Sequence, residues 1–332
     1  MQRPRYTPWA AAAALVVAVF TSIAVPAAAR AGVPDSQLLR TYQPVTHFDP
    51  LEAFGPTAVQ SFIGDSVLEQ RVGGQWVVVN ADPGPGGLPS DDGTYRLNQT
   101  SCSPAALIGG LACYRTSWDA WDGGSVVYGR VAHLANATVL QYWYFYYDDV
   151  YSYLYPPSDF IWQAHEGDWE VVNVVLSSSG EPVEAAYSQH CLGQRRAWSA
   201  TPRSGATHPI VYVALGSHGN YFAPGTHQFN PACIPPQALF LLHQAGLPLP
   251  IDYALPGGAT AGPPQSADVV TTIHQADEHS QAWLRFPGTW GEQQWFHASF
   301  YGTVPLGESP VGPAYHDVWE NPLATIASWP VG

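Results

Sequence analysis

The chain has no lysine, and its 12 basic residues, all arginines, are outnumbered by 26 aspartates and glutamates. Three of those arginines lie within the first 31 residues, which leaves nine basic residues against 26 acidic ones, a net charge of −17, in the remainder. A surface this negative repels phosphate backbones and attracts cations. We therefore exclude nucleic acid as a partner.

Long apolar runs are also missing, with one exception at the N-terminus. Arg3 and Arg5 precede an apolar stretch from Trp9 to Ala24, and small residues follow at 27–29. That order is typical of a secretory signal peptide, whereas the run is short for a membrane anchor. We predict a signal peptide over residues 1–31, a secreted mature protein, and no transmembrane segment in the mature chain.

Cysteine is scarce: the chain has four, and no two of them have the CxxC spacing of a thiolate metal site. In a secreted protein we expect cysteines to form disulfides. Their spacing favours the pairs Cys102–Cys113 and Cys191–Cys233. Sequence alone leaves the other pairings, and a metal–thiolate site, open.

Helical patterns are few, whereas 31 glycines and 31 prolines separate runs rich in aromatic and β-branched residues. We predict an all-β fold with minor α content, an antiparallel β-sandwich with a few short helices, as a single domain over residues 32–332. The connections are too short for helical crossovers, which favours antiparallel pairing. The mostly apolar run Val171–Leu176 indicates a central strand covered on both faces. The aromatic run Tyr142–Tyr147 is interpreted as core, with a stacking platform for sugars as the alternative. The predicted helices are 59–70 and 237–245, with a buried strand as the alternative for the second. The predicted strands are 124–134, 138–147, 169–176, 182–190 and 209–215.

The segment His165-Glu166-Gly167-Asp168-Trp169-Glu170 leads into one of these central strands. Side chains alternate along a strand, so Asp168 and Glu170 should share a face, and Gly167 permits a bend that returns His165 to it. Carboxylates with one imidazole suit Ca²⁺, Mg²⁺ or Mn²⁺, and suit Zn²⁺ less well. We predict a divalent-cation site, against the alternative that these acidic side chains face solvent on an edge strand.

The hairpin that follows this segment adds a histidine to the predicted site. If its turn centres on residue 179, antiparallel pairing sets Asp168 opposite His190. The same register sets Glu170 opposite Ser188. His190 then becomes a cation ligand, provided that the register holds, because a slip of one residue reverses the faces.

A further histidine, His218, lies between glycines at the end of the predicted strand 209–215. A histidine at a strand end is well placed for ligation or proton transfer. We predict His190 and His218 as candidate catalytic groups, with a structural role as the alternative for each.

The segments HEGDWE at 165–170, YSQH at 187–190 and HPIVYVALGSHGNYF at 208–222 together resemble the family named after vacuolar protein sorting-associated protein sixty-two. That family is poorly characterised, and its name gives no guide to the role of an exported protein. The resemblance covers most of the mature chain, because further matching segments lie at 42–44, 58–68, 288–291 and 309–322.

The spacing of His165, Asp168 and Glu170 is also similar to the GHRHDWE motif of the necrosis- and ethylene-inducing-like cytolysins. In that family the motif lies in a β-sandwich and helps to bind a divalent cation that engages glycosphingolipid head groups. The cytolysins also use an aspartate after an aromatic strand, and Asp148-Asp149 stands in a similar place here. Because Glu166-Gly167 departs from the family's motif, the resemblance implies the cation site more firmly than the lipid target or the toxicity.

We hypothesise a secreted protein that uses a bound divalent cation to recognise a glycan or a lipid head group. The alternative is a metal-dependent hydrolase of a phosphoester or glycosidic bond, in which His190 or His218 moves protons. A purely structural cation is a third interpretation. The predicted metal ligands are Asp148, Asp149, His165, Asp168, Glu170 and His190.

Overall fold

Strands dominate the residues that a computed structural model describes, which are 33–52, 54–91, 93–100, 125–152, 161–292, 294–298 and 302–332. The predicted signal peptide and the pair Cys102–Cys113 lie outside these residues. The helices are α1 (Asp35–Thr41), α2 (Val59–Gly64), α3 (Pro236–Ala245), α4 (Asp317–Glu320) and α5 (Pro322–Ser328), with 3₁₀ turns at Trp198–Ala200, Pro231–Cys233, Ala282–Arg285 and Pro313–Tyr315. The strands are β1 (Val45–Phe48), β2 (Ser66–Val72), β3 (Gln75–Asn80), β4 (Tyr95–Gln99), β5 (Ser125–His133), β6 (Ala137–Ser152), β7 (Ile161–Ser177), β8 (Pro182–Gln189), β9 (Leu192–Ala197), β10 (Arg203–Ser204), β11 (His208–Val213), β12 (Asn220–Tyr221), β13 (Gly225–Gln228), β14 (Ile251–Ala254), β15 (Thr260–Gly262), β16 (Val269–Gln275), β17 (Gln294–Ala298) and β18 (Gly302–Gly307).

The prediction of a mostly β chain with a few short helices is confirmed. The predicted helix 59–70 is wrong in its second half, because α2 ends at Gly64 and Ser66 begins β2. Leu68 is buried as a strand residue. Over so short a stretch, the buried positions of a strand can coincide with helical spacing. No helix in the described residues combines the length and the apolar character that crossing a bilayer requires.

An 11-stranded sheet contains most of the strands, in the order β10-β11-β1-β15-β16-β5-β6-β7-β8-β9, with β12 paired to β11. Three neighbouring pairs are parallel: β1 with β11, β15 with β16, and β16 with β5. The prediction of a mainly antiparallel sheet is therefore wrong at these pairs. In two of them the strands are far apart in sequence, so the length of local connections places no limit on their direction.

The central strands β6 and β7 separate two apolar clusters. Trp143 and Phe145 of β6 pack into one cluster, while Tyr144 and Tyr146 pack into the other. The valines of β7 divide in the same alternating way, as strand geometry requires. The predicted burial of these runs on both faces is confirmed.

A disulfide joins Cys191, just after β8, to Cys233 in the turn that precedes α3. This is one of the two pairs that the cysteine spacing favours. It ties the segment that contains α3 to the end of β8, next to His190.

Candidate functional site

The two longest strands, β6 and β7, carry the acidic residues predicted as cation ligands. Their antiparallel register pairs Asp149 with His165 and sets Asp168 beside Tyr146. Directly paired residues of antiparallel strands lie side by side. Residues of the two strands are thus brought together, with Asp148 next to them on β6.

Gly167 distorts β7 in the middle of the site. Its φ is +59°, and a Cβ at this position would lie 2.2 Å from the carbonyl oxygen of Trp290. His165 Nδ1 lies 2.8 Å from the carbonyl oxygen of Gly167, and His165 Nε2 lies 3.3 Å from Asp149 Oδ2. Burial opposes the charge on His165, but Asp149 and then Asp168 outweigh it and raise the pKa of the imidazole to about 9.

His218 enters the site from the turn that follows β11. Its Nδ1 lies 3.0 Å from Asp168 Oδ2, its Nε2 lies 3.7 Å from Glu52 Oε2, and its ring stacks on Tyr146 at 3.8 Å between centroids. Burial lowers the pKa of His218, but the hydrogen bond to Asp168 and the charge of Glu52 give a net rise. His218 is therefore held between two carboxylates.

Glu170 lies deeper on the same side of the site. One of its carboxylate oxygens accepts hydrogen bonds from the Ser188 hydroxyl and, at 3.3 Å, from the amide of Asn220. Burial, followed by the charge of Asp168, raises the pKa of Glu170 well above its usual value. Glu170 thus meets Ser188 through a side-chain hydrogen bond, although the predicted register that pairs the two residues directly is wrong.

These side chains form one buried group, which we call the acidic cluster. All its members are less than one-tenth exposed. The acidic cluster consists of the carboxylates of Glu52, Asp148, Asp149, Asp168 and Glu170 and the imidazoles of His165 and His218.

Carboxylates outnumber the positive partners within the acidic cluster. Burial raises the pKa of Asp148 to about 7, although His218 opposes the rise, and burial also raises the pKa of Asp149. Three buried polar atoms of the site have no hydrogen-bond partner among the described residues: one carboxylate oxygen of Asp149, the hydroxyl of Tyr146 and the side-chain oxygen of Asn220. As the side chains stand, no three His, Cys, Asp or Glu residues of the described chain are grouped to hold a metal ion.

The predicted register of the hairpin between β7 and β8 is wrong by one residue. The last pair of the ladder is Val172 with Tyr187, because a bulge beside the turn shifts the strands. His190 therefore does not lie opposite Asp168. Its role as a cation ligand stays a prediction.

His190 instead pairs with Asp252, which lies in β14 and is fully buried. Its Nε2 is 2.6 Å from Asp252 Oδ2, and the hydroxyls of Ser217 and Tyr221 also donate to this carboxylate. Burial opposes the ionised form of Asp252, but His190 and the hydroxyl donors hold its pKa below the usual value. The pKa of His190 is raised, because Asp252 outweighs burial.

The backbone at both histidines is unusual. Among the non-glycine residues that the structure describes, those with positive φ are His190, at +54°, and His218, at +52°. A non-glycine residue in this region is strained, and such residues concentrate at functional sites. Both candidate catalytic residues are thus held in strained turns by buried carboxylates.

Four residues of the site were missed from the sequence. Glu52 and Asp252 come from segments remote in sequence from β7, and neither carries a motif. Asn220 follows His218 within the matching segment 208–222, so proximity to the Gly-flanked histidine was an available signal. Tyr146 could not be recognised as a site residue, because it lies in an aromatic run that is interpreted as core.

No protein-family model and no curated protein matches the chain. The resemblance to the vacuolar protein sorting-associated family therefore has no support from a family model. Similar solved structures include necrosis- and ethylene-inducing proteins, the group that the spacing around His165 resembles.

One similar structure, described as a toxin fold for microbial attack and plant defence, is 14% identical, covers 57% of this chain and 69% of its own, and has a TM-score of 0.34. Necrosis and Ethylene inducing Protein 2 from the causal agent of cocoa's witches' broom disease is 17% identical, with coverages of 58% and 68% and a TM-score of 0.29. NLPPya in complex with glucosamine is 16% identical, with coverages of 57% and 67% and a TM-score of 0.32. TM-scores this low carry no conclusion about function.

We predict that Gly167→Ala destabilises the protein by about 2 kcal/mol or more, because the Cβ meets a backbone carbonyl in a left-handed conformation. Gly180→Ala is the matched control, since Gly180 also has positive φ, +85°, but no atom lies within 4 Å of its added Cβ. Urea unfolding followed by tryptophan fluorescence measures both losses. Equal losses in the two variants would contradict the close approach at Gly167.

Proposed function

We propose that this chain is a secreted protein that holds a divalent cation in the acidic cluster and uses it to recognise a glycan or a lipid head group. The observation that carries the proposal is the excess of buried carboxylates over imidazoles. It is accompanied by a buried carboxylate oxygen of Asp149 that no described residue contacts by a hydrogen bond. We retain the β-sandwich as the proposed packing, supported by the apolar clusters on the two faces of β6 and β7.

The electrostatic argument rests on the cost of burying charge. Two protonated imidazoles neutralise two of the five carboxylates in the acidic cluster, so three negative charges stay uncompensated if all five are ionised. Each such buried ion costs several kcal/mol, so the group must either take up protons or bind a cation. The raised pKa values of Asp148 and Glu170 are the response when protons alone are available. A divalent cation would supply the missing positive charge.

The donor atoms fit the cation class that the sequence predicts. Carboxylate oxygens with one imidazole suit Ca²⁺, Mg²⁺ or Mn²⁺ better than Zn²⁺. Because His165 and His218 contact Asp149 and Asp168, a cation competes with imidazole protons for these oxygens. The residues that would hold it are Asp148, Asp149, His165, Asp168 and Glu170.

The net charge of the chain limits the chemical class of ligand that can approach the cation. A cation with open positions takes ligand oxygens into its coordination sphere. A net charge of −14 over the whole chain repels free anions, whereas neutral or amino sugars meet no such barrier. We therefore propose sugar hydroxyls as the groups that the cation would contact.

We predict that the purified mature protein binds one divalent cation per chain. Chelation should lower its thermal stability, because removing the cation leaves the buried carboxylates of the acidic cluster without enough positive charge. Glu170→Gln and Asp168→Asn should each weaken cation affinity about tenfold or more. Glu181→Gln, which removes an exposed carboxylate in the turn after β7, is the control. Elemental analysis and calorimetric titration with Ca²⁺, Mg²⁺ and Mn²⁺ give the measurement. Wild-type affinity in both cluster variants would overturn the cation site.

The cation-loaded protein should bind immobilised sugars, including glucosamine, and the chelated protein should not. A glycan array probed in Ca²⁺ and again in chelator tests this directly, with Glu170→Gln as the cation-deficient variant. Sugar binding that persists in chelator and in the Glu170→Gln variant would show that the cation takes no part in recognition. A protein that loads the cation but binds no glycan or glycolipid would favour the structural interpretation.

The hydrolase stays as the second candidate, favoured by the two strained histidines. His190 contacts Asp252 through Nε2, and a buried carboxylate on one ring nitrogen orients a histidine for acid–base work. His218 is oriented by Asp168 through Nδ1, while its Nε2 lies 3.7 Å from Glu52. In that reading a bound cation would polarise the substrate, and His218 or His190 would move the proton.

If the hydrolase is correct, His218→Gln should reduce turnover of a phosphoester or glycoside by about 100-fold or more, the range of lost acid–base catalysis. His243→Gln on the exposed face of α3 is the control and should retain full turnover. Chromogenic phosphodiester and glycoside substrates, assayed with each cation, supply the readout. Absence of turnover by the cation-loaded wild type would discard this candidate.

A further inference from the structure

Two asparagines, Asn173 and Asn220, are fully buried, and they differ in how their side-chain amides are paired. The oxygen of Asn173 accepts a hydrogen bond from Gln141 at 3.1 Å, and its nitrogen donates to the carbonyl oxygen of Ala186 at 3.2 Å. Asn220 Nδ2 donates to Glu170, but Asn220 Oδ1 has no hydrogen-bond partner among the described residues. A buried carbonyl group without a partner is unfavourable, so this oxygen requires an explanation.

The backbone holds Asn220 in a fixed position. Asn220 pairs with Val213 in the ladder of β11 and β12, and its carbonyl oxygen accepts a hydrogen bond from the side chain of Gln189 at 2.7 Å. It also follows the strained turn at His218 by two residues. The side chain therefore cannot leave the site without breaking these contacts.

Glu170 fixes the orientation of the Asn220 amide. An ionised carboxylate accepts hydrogen bonds and does not donate them, so it holds the NH₂ end of the amide toward itself. A half-turn of the amide would set two oxygens against each other. Because Oδ1 belongs to the same planar group, it lies at the edge of the acidic cluster. Asn220 and Ser188 both donate to Oε2 of Glu170, so neither of them occupies Oε1.

We propose that Asn220 Oδ1 is a ligand of the divalent cation in the acidic cluster, an inference that rests on the proposed function. Amide oxygens accompany carboxylates at oxygen-rich cation sites. Here the amide supplies an oxygen without adding negative charge to the five buried carboxylates, while its nitrogen holds Glu170 in place. The partnerless oxygens of Asn220 and Asp149 are both acceptors, and a cation satisfies acceptors without needing a proton.

A buried water is the other partner that would satisfy Asn220 Oδ1. The two partners differ in when they act. A water pairs with the oxygen whether or not a cation is bound, whereas the cation pairs with it only in the loaded protein. Each variant is therefore compared in Ca²⁺ and in chelator.

Calorimetric titration with Ca²⁺ gives the affinities of wild type, Asn220→Leu and Asn173→Leu. Asn220→Leu removes the oxygen at nearly unchanged volume and should weaken Ca²⁺ binding about tenfold or more. Asn173→Leu is the matched control, because it removes an equally buried amide whose two ends are paired within the protein. It should lower stability but keep the wild-type affinity for Ca²⁺.

Asn220→Asp separates the role of the oxygen from that of the nitrogen, because it keeps an oxygen and loses the donor to Glu170. This variant should bind Ca²⁺ at least as tightly as wild type. It should also unfold at a lower temperature than wild type in chelator, since it adds a buried charge, and gain more thermal stability from Ca²⁺ than wild type does.

Wild-type Ca²⁺ affinity in Asn220→Leu overturns this inference and leaves the proposed function standing. Weaker Ca²⁺ binding by Asn220→Asp would limit Asn220 to holding Glu170 and also overturns it. A loss of stability in Asn220→Leu that is equal in Ca²⁺ and in chelator assigns the oxygen to a water, with the same result. A wild type that binds no divalent cation overturns the proposed function together with this inference.

Discussion

The pairing of buried carboxylates with imidazoles is the interaction on which the site depends. Burying an ion costs more than most single contacts supply, so the carboxylates of β6 and β7 need partners held in fixed positions. His165 supplies one partner through the bend at Gly167, and His218 supplies another from the turn after β11. The long β6–β7 ladder, packed on both faces, provides the rigid support that this arrangement requires.

Backbone strain is concentrated where these partners enter. His190 and His218 both have positive φ, and both are held there by hydrogen bonds to buried carboxylates. A strained residue persists only where its surroundings over-determine it. The hydroxyl donors around Asp252 and the stacking of Tyr146 on His218 provide that determination. Strain, burial and charge thus meet in one region of the molecule.

The features that could be predicted from the sequence are those that depend on neighbouring residues. Apolar runs predicted the central strands, and the glycine before Asp168 predicted the bend that returns His165 to the carboxylates. Parallel pairing of β1 with β11 was not predictable, since it joins strands far apart in the chain. A single bulge beside the hairpin turn moved His190 away from Asp168, and alternation along a strand does not reveal bulges. Glu52 and Asp252 reach the site only through this long-range topology.

Negative charge is unevenly distributed in the molecule. In the acidic cluster it is concentrated and buried, so the cluster gains stability from any positive partner, whether a proton, an imidazole or a cation. Along β3 charge is absent, and the valines Val77, Val78 and Val79 are exposed. The acidic cluster is therefore the place where contact with a cation is most favourable, because carboxylates are crowded there.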